Sequence, residues 1–246
     1  MINEGFFLKR PQRFGDICKI YPPSVNEIID NPNFPLYRKL LTISQEEIED
    51  LYIEKNIEGR VPTPLEYLLS ASYKDKKTES ILKEAITFFI HDKVSFLYEQ
   101  KSIVIGDLSE IVKTLKSVEE LKLIKEDNFF DFQNLIREAL GDKPIEPPNP
   151  NEDPRVKRIK AKARYRDKIK AKQGLGLKLS TTLAAICCMG FGLNPLNIGE
   201  ISYASIPVLI RFYQEKDKYE TDVKSLLAGA DSKKVKPKYW IRNIED

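Results

Sequence analysis

Histidine occurs once in this chain of 246 residues, cysteine three times, methionine twice and tryptophan once. These scarcities exclude a good deal. A metal centre needs His, Cys and carboxylates gathered at ligand spacing, and no such cluster is present. Cys18, Cys187 and Cys188 are too few and odd in number for a disulfide framework, which fits a reducing compartment. On a helix, adjacent Cys187 and Cys188 point about 100° apart, which does not suit chelation. All three read as small buried apolar side chains. The lone His91 ends the run TFFIHDK, where a helix presents its carbonyl oxygens, and it reads as a helix-end residue rather than a catalytic base.

Long apolar runs are missing too. The most apolar stretch, Thr181 to Leu193, is shorter than the roughly 20 residues that span a bilayer, and it reads as a buried helix. The opening MINEGFFLKRPQRFG lacks the apolar core and small-residue cleavage site of a signal peptide. A membrane is therefore not an expected partner. Gly174-Leu175-Gly176 is followed by no Gly-Lys-Ser/Thr and reads as a hinge, not a phosphate loop. Glu46, Glu47, Glu49 and Asp50 sit where a helix N-terminus favours negative charge, and they do not form an acid–base pair. With no cluster that identifies a reaction, the chain reads as non-enzymatic, with no catalytic residue, cofactor or metal.

The composition that remains, 41% hydrophobic and 31% charged, suits a soluble protein of one or two domains. Capping boxes mark helix starts in its first part: Ser24 with Glu27, Ser44 with Glu47, Thr63 with Glu66 (and Pro64 at the first helical position), and Ser117 with Glu120 before VEELKLI. Ile81 to Ile90 has helical spacing. Phe132, Leu135, Ile136 and Ala139 share one helix face, with Gly141 as its stop. Strands are fewer. Asp16 to Tyr21 is one, and Val94 to Asp107 reads as a small β-hairpin turning near Gln100 and Lys101.

Lys143 to Pro154, KPIEPPNPNEDP, holds five prolines and cannot continue a helix or a central strand. It reads as an extended linker. Beyond it, a helix capped by Ser180 precedes a turn with an Asn197–Glu200 cap pair. A longer helix then carries Ile206, Leu209, Ile210 and Tyr213 on one face, extended by Tyr219, Val223, Leu226 and Leu227 and ended by Gly229. Pro207 either begins or kinks that helix. The tail is polar, with an aromatic knot at Tyr239-Trp240. There is no internal repeat. The expected fold is α+β: a helix-rich α+β domain over 1–142, a proline linker over 143–154, a basic helix over 155–173 and an all-α domain with a polar tail over 174–246.

The basic stretch decides what kind of partner to expect. Arg155 to Lys172 holds ten Lys or Arg and one Asp, which gives it +9 and leaves −6 for the rest of a chain of net +3. Ala, Lys and Arg favour a helix. On it, Val156, Ile159 and Ala163 fall on one side and Ala161, Tyr165 and Ile169 almost opposite, so there is no apolar seam for a core or a membrane surface. Only Tyr165 interleaves the cations, and no zinc spacing, RNA-recognition motif or glycine clamp accompanies them. The reading is a solvated or protein-docking helix that meets acidic surfaces, with Lys160, Arg164, Lys168 and Lys170 as partner-binding residues alongside Tyr239 and Trp240. The alternative is nucleic-acid binding through phosphates over 155–172, which needs only Lys and Arg.

Two segments carry a resemblance. Residues 17–52, ICKIYPPSVNEIIDNPNFPLYRKLLTISQEEIEDLY, and residues 193–246, with KYETDVKSLLAGA followed by an aromatic, resemble bacteriophage tail assembly chaperones and baseplate-assembly proteins. The resemblance covers about two-fifths of the chain. It implies a non-enzymatic protein that engages other tail proteins: the tape-measure protein, the tube or the baseplate hub. It also implies a place in the host cytoplasm and, for structural relatives, in the virion. The chain departs from the shortest chaperones in its size and its folded-looking N-terminal region, which points toward a permanent structural part.

Overall fold

The structure is a computed structural model that describes residues 3–109, 111, 121–147, 152–172 and 178–240; for 154, 157, 167, 168 and 170–172 it describes the backbone alone. Ten helices and five short strands are defined among these residues. Asn3 caps α1 (Glu4–Phe7). β1 (Gln12–Phe14) and β2 (Cys18–Ile20) pair antiparallel, with Phe14 opposite Cys18. The second is the expected strand; the first lies in a stretch that carries no alternation long enough to announce it.

Local chemistry sets the helix starts. After Pro22-Pro23, Ser24 and Glu27 form a full capping box on α2 (Val25–Ile29), with the Ser24 N–H donating to Glu27 Oε2 at 2.6 Å. Phe34, Tyr37 and Leu41 line the buried face of α3 (Phe34–Leu41). Ser44 with Glu47 caps α4 (Gln45–Glu54), and Thr63 with Glu66 caps α5 (Pro64–Lys74). Asp75 accepts from the Lys77 and Thr78 N–H groups to begin α6 (Lys76–Ile90). This helix ends at His91, whose φ of 57° is left-handed and whose ring stacks on Tyr21 at 4.2 Å.

The hairpin forms as expected: β3 (Val94–Leu97) pairs antiparallel with β4 (Ser102–Ile105) around a turn that includes Lys101, at φ 46°. A third strand, β5 (Leu123–Ile124), pairs with the other edge of β4. The helix expected from Ser117 is therefore corrected in its described part. Ser117 and Glu120 lie outside the described residues, but Leu123–Ile124 is extended, because Ile124 is fully buried opposite Ile103 and its backbone completes the β4 ladder.

The core gathers around Phe6, Phe89, Phe129 and Phe132, all at most 2% exposed. The last two come from α7 (Glu126–Ala139), which also buries Ile136 and Ala139. Gln133 is buried beside them, yet fully used: its amide donates to the Leu41 and Ile43 carbonyls at 3.0 and 3.1 Å. The Leu41 carbonyl is the last of α3 and the Ile43 carbonyl follows two residues beyond it, so the amide serves the chain where the helix no longer does. Gly141 stops α7 at φ 72°, and a Cβ there would meet Pro207 Cγ at 2.7 Å and the Ala204 carbonyl at 3.1 Å. The stop thus serves two needs: a left-handed turn and a close approach by the C-terminal segment.

Beyond the linker run α8 (Pro154–Lys172), α9 (Leu179–Cys188), a 3-10 turn (Ile198–Glu200) and α10 (Ser205–Leu227). Pro207 lies in the first turn of α10, so it begins that helix. Leu183, Ile186, Ile198 and Ile206 form a second cluster closed by Val25 from the N-terminal region. The mixed, helix-rich α+β class is as expected.

Three C-terminal expectations change. Lys178, without a side-chain bond, occupies the cap position of α9, not Ser180. Asn197 occupies the cap position of the 3-10 turn but makes no capping bond; its side chain accepts from the Asn194 N–H at 2.7 Å and donates to the Gly192 carbonyl at 3.2 Å, while Glu200 accepts from Asn26. Finally, α9 is buried on one side, through Leu183 and Ile186, where Val25, Ile198 and Ile206 cover it with help from half-buried neighbours such as Ile201 and Ile210. Cys188 is exposed and Cys187 half-buried, so the expectation of buried cysteines fails there. Cys18 is half-buried, and burial raises its thiol from 9.0 to about 11.

Candidate partner interface

The basic helix forms, and it lies against the most acidic helix of its own chain. In α4, Glu47 is committed to the cap, accepting from the Ser44 N–H at 2.8 Å. Glu46 and Asp50, four residues apart, share the next face. The Arg164 guanidinium sits between them: Nη1 donates to Glu46, and Nε and Nη2 donate to Asp50 at 3.1 and 3.4 Å. Burial works against the arginine's charge, but the Asp50 hydrogen bond and the charges of Glu46, Asp50 and Glu47 outweigh it and hold the group more firmly protonated than usual. Its side chain is only 23% exposed.

Arg164 is the chief anchor of α8 among the described side chains. Lys160 turns back to Glu152 at 2.5 Å, a bond within the approach to its own helix. Arg155, Arg158, Lys162 and Arg166 are exposed. Val156, Ile159 and Tyr165 are also exposed, as expected of a helix without an apolar seam. Beside Asp50, a small cleft of about 160 Å³ lies between Ile53 and Glu54 of α4 and Ala161 and Tyr165 of α8. Among its described side chains, the helix therefore keeps most cations outward while one arginine ties it down.

Of the sequence-predicted partner residues, Lys160 and Arg164 stand one turn apart on α8. Lys168 and Lys170 belong to the same helix, and their side chains lie outside the described residues. Tyr239 and Trp240 belong elsewhere: Tyr239 packs edge-on against Tyr219 of α10 at 5.6 Å and against Trp240 at 6.3 Å, which folds the tail back on its own helix. Among the described residues no group of three His, Cys, Asp or Glu could hold a metal, and no helix is long and apolar enough to cross a membrane.

One feature escaped the sequence reading. A groove of about 980 Å³ runs between α5 and the β3–β4 turn, lined by Tyr52, Tyr67, Tyr73, Phe96 and Tyr98 and rimmed by Arg60, Lys74 and Lys101. Its signal was present but thin: α5 places Tyr67, Ser70, Ala71 and Lys74 on an outward face that carries a ring where a solvated helix carries charge. The other rings come from elements distant in sequence, which periodicity cannot join.

No family model matches this chain, and neither a curated protein nor a solved structure matches it.

Proposed function

We propose that this is a non-enzymatic bacteriophage tail or baseplate assembly protein, acting as a structural or chaperone-like adaptor between other tail proteins. The observation that carries this reading is where the two resembling stretches meet. The Val25 N–H donates to the Ile201 carbonyl at 3.1 Å, the Tyr203 N–H donates to the Pro23 carbonyl at 2.8 Å, and Ser24 bridges to Ser202. Residues 23–25 and 201–203, one segment from each resembling stretch, thus build one joint, which supports reading the two stretches as a unit.

Charge supports the same reading. The basic helix carries an outward face of Arg155, Arg158, Lys162 and Arg166, and opposite-sign surfaces orient an encounter between subunits. In this reading the partner is the tape-measure protein, the tube or the baseplate hub, met in the host cytoplasm. The same outward cations favour one alternative, nucleic acid held by its phosphates.

One experiment separates the two. The quadruple variant Arg155→Gln, Arg158→Gln, Lys162→Gln, Arg166→Gln, which spares the Arg164 anchor, is compared with wild type in tail assembly and in binding random-sequence DNA at physiological salt. Tail assembly should fail in the variant, while wild type binds DNA weakly. Micromolar, salt-sensitive DNA binding that the variant loses while assembly proceeds would reverse the choice. Mass spectrometry of purified virions then distinguishes a resident part from a transient chaperone.

A further inference from the structure

The tyrosine-lined groove has a strand edge along one wall. The order of the sheet is β3-β4-β5, so among the described residues no strand pairs with the outer side of β3. Register says which backbone groups face out. Ser95 is opposite Val104 and Leu97 opposite Ser102, and the Gly106 N–H donates to the Lys93 carbonyl at 2.6 Å. Residues 93, 95 and 97 therefore spend their backbone groups on β4, and Val94 and Phe96 turn their N–H and C=O away from it. Such an edge is a template for another extended chain.

The wall beside that edge is aromatic. Tyr73 stands edge-on to Tyr98 at 5.1 Å, and Tyr98 is edge-on to Phe96 at 6.0 Å. Tyr73 is 74% exposed although it is a large ring in a stable helix. The rim is charged in a layered way. Glu66 lies low, with a side chain 16% exposed, and its two oxygens hold Arg60 and Lys101 at 2.7 Å each. These cations are 71% and 61% exposed, so the groove presents positive charge above a sunken carboxylate. The Lys101 hydrogen bond, the Thr63 N–H and the Arg60 charge hold the Glu66 carboxyl below its usual range. Lys74 adds a third rim cation and Glu99 a further carboxylate.

We propose that this groove binds an extended acidic peptide of a partner protein, added as a strand along β3. Its backbone would satisfy the outward groups of Phe96 and Val94. Side chains at alternate positions would lie against Tyr67, Tyr73 and Tyr98, and a carboxylate would meet Arg60, Lys74 or Lys101. Single-stranded nucleic acid would also find rings and cations here, but it has no use for an open strand edge. The groove involves neither α8 nor the tail, so this inference stands apart from the assembly reading.

The test uses the full chain. Displayed random dodecapeptides are selected against it, and a fluorescein-labelled synthetic copy of the enriched sequence is titrated by anisotropy. Enriched sequences should alternate aromatic or branched apolar residues with at least one Asp or Glu. Tyr73→Ala and Lys74→Glu, both at exposed positions, should each weaken binding at least about tenfold. N-methylation of the peptide backbone, scanned against wild-type protein, should abolish binding at alternate residues only. Four results would overturn the proposal: no enrichment; binding indifferent to both substitutions; N-methylation tolerated throughout; or binding of a uridine 15-mer, but of no peptide, that Tyr73→Ala removes. A concentration-dependent dimer lost in Tyr73→Ala would also overturn it, by assigning the groove to a second copy of the chain.

Discussion

Helices α7 and α8 differ in what holds them more than in what forms them. The shorter, α7, drives Phe129, Phe132, Ile136 and Ala139 into the core and ties Gln133 to two carbonyls. The longer, α8, has better helix formers along much of its length but exposes Val156, Ile159 and Tyr165 and rests on α4 through Arg164. Propensity makes a helix affordable; burial fixes where it stays. One helix is thus part of the fold, and the other is laid upon it.

The sharpest way to break this comparison is at the core. Phe132→Ala should lower stability by about 3–5 kcal/mol, because the ring is fully buried against Phe14 and Phe129 and the cavity cannot collapse freely. Denaturant titration measures it, and a loss under 1 kcal/mol would mean α7 is less integral than its burial indicates.

Arg164→Ala should cost no more than about 1 kcal/mol, since the ion pairs are near the surface and partly screened. Its effect should be local: faster amide exchange along α8, reproduced in wild type by raising salt to about 1 M. Equal exchange in wild type and variant would show that other contacts hold the helix.

The smallest effect is a difference in thiol chemistry between the two halves of the chain. Cys18, packed against the N-terminal core with its thiol raised to about 11, should react with a disulfide reagent at pH 8 roughly a hundredfold more slowly than an unshifted thiol. Cys188, exposed on α9, should react first. The linked effect on stability has a definite sign. The folded chain holds the Cys18 proton more tightly than the unfolded chain, so stability is untouched below about pH 9 and falls as pH rises from there to about 11. Mass spectrometry of partly labelled protein identifies the order, and early labelling of Cys18 would contradict the burial.

Much of this fold was legible locally. Three capping boxes, the hairpin with its turn at Lys101 and the stop at Gly141 all depend on residues within a few positions of one another. What was not legible depends on distant partners. Leu123–Ile124 is a strand because β4 has a free edge to offer, and α9 is half exposed because only one side of it meets Val25 and Ile206. The candidate interface divides in the same way. The charge of α8 and the acids of α4 were plain in the sequence as opposite signs, but nothing in spacing alone brings Arg164 between Glu46 and Asp50, 114 residues and more away. The groove was the least visible, since its rings are supplied by two helices and a hairpin.

The joint between Pro23–Asn26 and Gly199–Ser205 also constrains the order of events during synthesis. Asn26 and Glu200 are 174 residues apart, and Ser205 reaches back 198 residues to the Phe7 carbonyl. A ribosome must deliver almost the whole of this stretch before the joint can close, while the segment through Gly141 has its own core to collapse around. Each doubling of a loop adds only about 0.6 kcal/mol of closure entropy, so the distance weighs little on final stability. It weighs on time: Val25 waits at the surface of a nascent chain, uncovered, until α9 and α10 arrive.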